Sequence, residues 1–600
     1  MDNVTPSSRP GMGAVPYPGG TTFRVWAPHA DQVYVTGTFN DWSKRANPLA
    51  SEDHGCWSAH VPGAKPGDEY KFVLINGSEE LWRIDPYARD VTSSVGNSVI
   101  HDPDFDWGWE DYHTPPWNEM VIYQMHVGTF NDQPGGPPGN LNGAVQKLCY
   151  LRDLGINAIK IMPPMEFAGG FSWGYNPAHI FAIESDYGGP HAFKEFVKAA
   201  HAHGIAVIFD VVYNHFGPSD LDLWRFDGWS ENNGGGIYFY SDWRSETPWG
   251  PRPDYGRAQV RQYIRDNALM WLEEYRVDGL RWDATAYIRN TRGYDNDPTH
   301  DIPDGWSLMQ WINDVIDAQQ PWKISIAEDM RNNSWITKGT SIGGAGFDAQ
   351  WDAGFVHAIR QAITPPDDQA RNMVAVHDAI HHRYNTDAFE RVIYTESHDE
   401  VANGKARVPE EIWPGNAESW ASKKRSTLGA ALVFTSPGIP MIFQGQEFLE
   451  DEWFHDQDPI DWSKKDRHSG ILQMYRDLIR LRRNWYGCTR GLCGQHVHVH
   501  HVNDWDKMIA FHRWEHGSAR DSVMVVVNMA NREYDSYNVG FPREGLWRVR
   551  FNSDWSGYDP GFGNHSSYDT VANWGARDQM PCNGNVGIGP YSVIILSQDE

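Results

Sequence analysis

Cysteine is scarce in this chain. Its five thiols among 600 residues, at positions 56, 149, 488, 493 and 582, are odd in number and lack the close pairing of metal ligands, which excludes a disulfide framework and a zinc site. Positive charge is also in deficit. Lys and Arg total 51 against 79 Asp and Glu, a balance that disfavours nucleic-acid and anionic-membrane partners and makes a neutral polymer the more natural substrate. No apolar run reaches transmembrane length. Met1 to Gly20 is polar, rich in Pro, Gly and Ser, and without the basic start and apolar core of a signal peptide. Residues 1–20 are therefore expected to be a disordered lead, and the protein to be a cytoplasmic monomer or small homo-oligomer without metal or cofactor. Aromatic residues, by contrast, abound: 29 Trp offer flat surface for stacking on sugar rings, a use with which core packing competes at each position.

A length of 600 residues exceeds one ordinary domain, so a large catalytic unit with flanking modules is expected. Its centre is Gly279-Leu280-Arg281-Trp282-Asp283-Ala284. Upstream, Val260, Ile264, Ala268, Trp271, Leu272 and Tyr275 recur at helical spacing over Ala258 to Tyr275. Asp278-Gly279 breaks that helix, and the strand that follows carries Arg281 and Asp283 on one face. Three further segments share this form, an apolar run ending in polar groups: Ile205 to His215 with Asp210, Lys323 to Asp329 with Glu328, and Val392 to Glu400 with His398 and Asp399. Continuous apolar strands between helices indicate a parallel sheet buried on both faces, and functional groups at several strand ends indicate a (β/α)8 barrel. Paired carboxyl groups there suit acid/base and nucleophilic work on a glycosidic bond.

In chain order, alternating segments over residues 21–110 predict an N-terminal β-sandwich, and residues 111–490 the barrel. Barrel strands are read at Val121 to His126, Ala158 to Met162, Pro440 to Gln444 and the four segments above. Phe216 to Tyr255, aromatic and Gly-rich, is an insertion, and alternating segments from residue 491 onward predict a C-terminal β-sandwich over 491–600.

The four segments, in this order, resemble the sequence motifs of the α-amylase family of retaining α-glucan-active enzymes. The resemblance implies a nucleophile at Asp283, a general acid/base at Glu328, and at Asp399 a carboxylate that grips and distorts the bound glucose. It further implies that Asp210 braces the site, that His215 and His398 contact sugar hydroxyls, and that Tyr175, in Trp173-Gly174-Tyr175-Asn176-Pro177, stacks under the ring being cleaved. Arg281 would keep Asp283 ionised, while burial or the charge of Asp283 would keep Glu328 protonated. Asn214 matches a calcium ligand of many amylases, and a loop-capping role is preferred for it here. Trp26-Ala27-Pro28, Gly37 to Trp42 and Asp85 to Ala88 are similar to the glycogen-binding type of module, with Trp42 and Trp57 as its possible sugar platforms.

Ser397 to Val401 with Gly404-Lys405 is similar to the matching segment of glycogen branching enzymes, whereas Asp210 to Pro218 and Asn267 to Glu274 are more similar to malto-oligosyltrehalose trehalohydrolases. The expected function is transfer on α-1,4-glucan chains with formation of α-1,6 branches. Hydrolysis by a related enzyme is the alternative. An inactive glucan-binding protein would lack one of the three carboxyl residues, and all three are present.

Overall fold

The computed structural model describes residues 5–108 and 111–599. Residues 1–4 of the expected lead lie outside the described residues.

Eight parallel strands close into a barrel: β1 Ile122–Met125, β2 Ala158–Ile161, β3 Ala206–Val211, β4 Gly279–Trp282, β5 Ile324–Ala327, β6 Ala349–Trp351, β7 Arg391–Ile393 and β8 Ile439–Phe443. All are buried, because alternate side chains serve two different cores. Ile122, Ala158, Ile208, Ile326, Trp351 and Val392 pack together inside the barrel. Their neighbours Tyr123, Ile159, Phe209 and Leu280 join the shell of helices outside, where Phe209 stacks on Trp271 of the helix Ala258–Glu273 at 4.1 Å between centroids. The inward row, followed towards the C-terminal strand ends, changes from apolar to polar and charged. Gln124, Lys160, Asp210, Arg281 and Glu328 are each two residues beyond an inward Ile or Ala, or level with such a residue on the next strand.

The N-terminal module is a β-sandwich of a four-stranded and a six-stranded sheet over Phe23, Val25, Val33, Val35, Tyr70 and Phe72. It begins inside the stretch expected to be disordered. Gly13–Tyr17 is an edge strand paired antiparallel with Gly20–Trp26, Tyr17 opposite Gly20. Pro18-Gly19 makes the two-residue turn, with Gly19 at φ 101°, a conformation that Gly adopts at no steric cost. Composition alone suggested disorder; the Pro-Gly turn and its β-branched flanks decide for a hairpin. Trp57 is half-buried against the same core and donates through Nε1 to the Ala27 carbonyl at 3.0 Å.

The insertion over residues 216–255 forms no helix, but it buries Phe216, Phe226, Tyr238, Phe239 and Tyr240 and is held by the N-terminal module. Asp227 accepts from the His29 backbone N–H at 3.0 Å, Arg83 donates to the Phe226 carbonyl at 2.9 Å, and His29 stacks on Trp229 at 4.5 Å.

The C-terminal domain is an eight-stranded antiparallel sheet beginning at His496–Asn503, curled around Met524, Val526, Phe541, Trp547 and Leu596. The helix Trp420–Thr435 lies between it and the barrel, buried on nearly every side. From this helix Lys424, its side chain wholly buried, donates to Asp554 Oδ1 at 2.7 Å and to Ser592 Oγ at 2.9 Å. Asp554 also accepts from the backbone N–H groups of Gly563 and His565.

Removing one member of such a pair strands a buried charge. Lys424→Met is expected to lower unfolding stability by about 3–5 kcal/mol, with part of the loss recovered when Asp554→Asn is added. Urea unfolding of the parent and the two variants measures both effects; a loss below about 1 kcal/mol in the single variant would show that the pair does not hold the domain.

Candidate functional site

The organising group is the Arg281 guanidinium on β4, fully buried at the C-terminal end of the barrel. Register sets it level with Asp210 on β3. Nη1 donates to Asp210 Oδ1 at 2.8 Å and to Asp283 Oδ1 at 2.9 Å, while Nη2 stands 2.9 Å from Glu328 Oε2 without an aligned hydrogen bond. Beneath it, the Trp351 ring of β6 lies 4.4 Å from the guanidinium carbon. One cation therefore brings three carboxyl groups from β3, β4 and β5 to one point.

Two local features hold the nucleophile-expected residue and its partner in place. Asp283 N–H continues the ladder to the Val211 carbonyl at 2.9 Å, and Glu328 N–H does the same to Trp282 at 3.0 Å. Ala284 then turns left-handed, φ 40° and ψ 51°, a conformation that costs a residue with a Cβ about 1–3 kcal/mol. The turn aims its N–H at Glu328 Oε2, 2.8 Å away.

The cleft above these groups has a volume of about 540 Å³ and is lined by Tyr175, His215, Trp249, Asp283, Glu328 and Asp399, among others. Burial pushes the Glu328 carboxyl up to about 8; Arg281 opposes the shift, and Asp283 and Asp399 add to it. Depth in the cleft also raises Asp399, to about 6, a push moderated by water, because 45% of its side chain is accessible. Tyr175 donates to Asp210 Oδ2 at 2.7 Å and stacks on His398 at 4.8 Å and 16°.

All eight residues expected from the sequence, Asp283, Glu328, Asp399, Tyr175, Asp210, His215, Arg281 and His398, thus converge on this cleft or its floor. Two details differ from expectation. Asn214, read as a loop cap, instead donates through Nδ2 to the Asp283 carbonyl at 2.8 Å and to Asp283 Oδ2 at 2.7 Å. His215 lines the cleft, yet both its ring nitrogens are engaged by the protein, Nδ1 by Asn214 Oδ1 and Nε2 by the Tyr175 carbonyl at 2.7 Å.

Three residues of the floor escaped the sequence reading. Lys160 on β2 pairs with Asp210 Oδ2, and burial lowers its pKa to about 8 although Asp210 pulls it up. Gln124 on β1 holds His398 from below, and Trp351 supports Arg281. A polar residue inside an apolar strand was the available signal for the first two.

Comparison with known proteins agrees with this architecture. Residues 11–88 match carbohydrate-binding module 48 (isoamylase N-terminal domain), residues 124–224 and 222–485 the alpha amylase catalytic domain, and residues 498–599 the alpha amylase C-terminal all-beta domain. The 1,4-alpha-glucan branching enzyme GlgB of Nocardia farcinica is 31% identical, over 96% of this chain and 78% of its own. That of Salinibacter ruber is 31% identical over 90% of this chain and 89% of its own. Among solved structures, a pullulanase from Anoxybacillus sp. LM18-11 has the same fold, with a TM-score of 0.76 at 21% identity over 99% of this chain and 86% of that one. Three domain matches in the same order, around a barrel whose inward row ends in three carboxyl groups on one guanidinium, lead to a single assignment: the chain belongs to the alpha-amylase family.

Proposed function

We propose that this protein is a 1,4-α-glucan branching enzyme, in which Asp283 is the nucleophile, Glu328 the general acid/base and Asp399 the carboxylate that grips the sugar bound at the cleavage point. The observation that carries the chemistry is the sharing of Arg281 by Asp283 and Glu328 in one buried cluster, with burial keeping a proton on Glu328 at neutral pH. Asp283 attacks the anomeric carbon and forms a glycosyl-enzyme as Glu328 gives its proton to the leaving oxygen; Glu328 then takes a proton from the incoming hydroxyl. Transfer rather than hydrolysis is supported by the relatives named as branching enzymes and by exposed aromatic surface at the cleft. Trp249 of the insertion lines the cleft and is 45% exposed, and it offers an acceptor chain a stacking surface, to which Trp224 and Trp243, also exposed on the insertion, are candidates to add. Water is present at roughly 55 M, whereas a well-oriented acceptor reaches an effective molarity of about 10⁵ M or more, so a held chain outcompetes it.

Incubation with amylose is expected to lower iodine staining and create α-1,6 linkages, seen by proton NMR and as short chains after debranching, with few new reducing ends. Reducing ends rising in step with the loss of staining, without an α-1,6 signal, would make the enzyme an amylase-type hydrolase, and free trehalose released from maltooligosyl trehalose a trehalohydrolase. Asp283→Asn should fold as the parent does, because shape is kept, and lose several orders of magnitude in turnover. A variant with a tenth of the parent activity would remove Asp283 from its role.

The pH profile tests Glu328. Its carboxyl is raised above the ordinary value, so the proton that it donates is held below about pH 8 and lost as pH rises through that value. The alkaline limb of kcat/KM should therefore lie near pH 8. Glu328→Gln should abolish this limb along with most turnover of natural glucans, while sparing formation of the glycosyl-enzyme from donors whose leaving group needs no proton. Equal loss on both kinds of donor would count against the assignment.

A further inference from the structure

His398 is confined to one orientation. Its ring lies face to face with Tyr175 at 4.8 Å, with Trp173 edge-on at 5.9 Å and Trp351 inclined at 6.1 Å on other sides. Only 2% of the residue is exposed, so the remaining freedom of the imidazole is the position of its proton.

Gln124 removes that freedom. This fully buried side chain on β1 accepts from the His398 backbone N–H through Oε1 at 3.0 Å, and its amide nitrogen is 2.8 Å from His398 Nδ1. A backbone N–H can only donate, so the first bond fixes which end of the amide is oxygen and leaves the –NH2 facing Nδ1. An –NH2 can only donate in turn, so Nδ1 must be the bare, accepting nitrogen. The proton then sits on Nε2, which points into the cleft 3.3 Å from Asp399 Oδ2.

We propose that Gln124 is a positioning residue that fixes the tautomer of His398, so that the ring is a neutral Nε2–H donor aimed at Asp399 and at the sugar hydroxyl beside it. The two bonds act as a chain of logic: backbone N–H, amide oxygen, amide nitrogen, bare Nδ1, protonated Nε2. The charges around the ring act in the same direction. Burial, Lys160, Arg281 and His126 all oppose a second proton on His398, against the one carboxyl, Asp399, that faces Nε2. Lys160 is the register partner of Gln124 on the neighbouring strand and holds Tyr175 through Asp210 and its own 3.3 Å approach to the Tyr175 hydroxyl. The tips of β1 and β2 thus secure the two members of the stacked Tyr175–His398 pair, one each. His398 consequently offers a donor at every pH where the enzyme works, with no titration of its own in the activity profile.

The inference concerns a residue that the proposed reaction uses, but its primary test does not depend on that reaction. With 15N-labelled histidine in the full-length protein, the resonance of His398, assigned by its loss in His398→Gln, should show a bare Nδ1 and a protonated Nε2 between about pH 5 and 9. A protonated Nδ1 in the parent protein would overturn the proposal. Gln124→Glu keeps the acceptor for the backbone N–H but places a second acceptor against Nδ1. It should draw a proton to Nδ1 and add an ionisation to the pH profile of kcat/KM that the parent lacks. The parent's tautomer and profile in this variant would also overturn it. Should the buried carboxylate prevent folding, Gln124→Met removes both bonds without adding charge. Mixed tautomers and a kcat lowered about tenfold, with KM moved less than about threefold, are then expected, that rate loss corresponding to one hydrogen bond. An unchanged single tautomer in Gln124→Met would again refute the role.

Discussion

The site depends on a guanidinium buried completely inside the barrel. A charge in that position is tolerable only if it is paired, and Arg281 meets this through Nη1, which donates to both Asp210 and Asp283, while its face rests on Trp351. With the proton on Glu328 that burial favours, the cations Arg281 and Lys160 face the carboxylates Asp210 and Asp283, and the interior charge closes. A site built in this way is rigid before substrate arrives. Electrostatic preorganisation of this kind costs nothing at the moment of reaction, because the reorganisation was completed in folding.

Much of this was legible in the sequence, and the reason is geometric. Strands β3, β4, β5 and β7 belong to largely apolar runs that lead into polar groups, so Asp210, Asp283, Glu328 and Asp399 stood out in or just beyond them. Gln124 and Lys160 sit within their strands, and nothing in a linear pattern says that Gln124 meets His398, 274 positions away. β6 is only Ala349–Trp351 with a polar Gln in its middle, too short for a period to register. The lead failed for another reason. Its Pro and Gly content signals disorder when counted and a tight turn when placed, and Gly13–Tyr17 follows the second rule.

The N-terminal module gains a role from its contacts that its family description does not state. Through His29, Arg83 and Asn76 it grips the segment Phe226 to Trp229, part of the insertion whose Trp249 lines the cleft. One wall of the cleft is thus anchored outside the barrel. A loop of this length without helix would ordinarily be mobile, and the module supplies the order that its own backbone bonds do not.

The alternation of strand side chains between the inner and outer cores has a further consequence for how such a protein can change. A single residue gained or lost within β4 would exchange Arg281 and Asp283 for Leu280 and Trp282 on the inner row, turning the charges into the helical shell and the apolar groups into the cleft. Length variation is therefore filtered by parity: forbidden inside the strands, free beyond their tips. The insertion after β3 lies where that filter no longer acts, so new surface can accumulate beside the chemistry without ever shifting its phase.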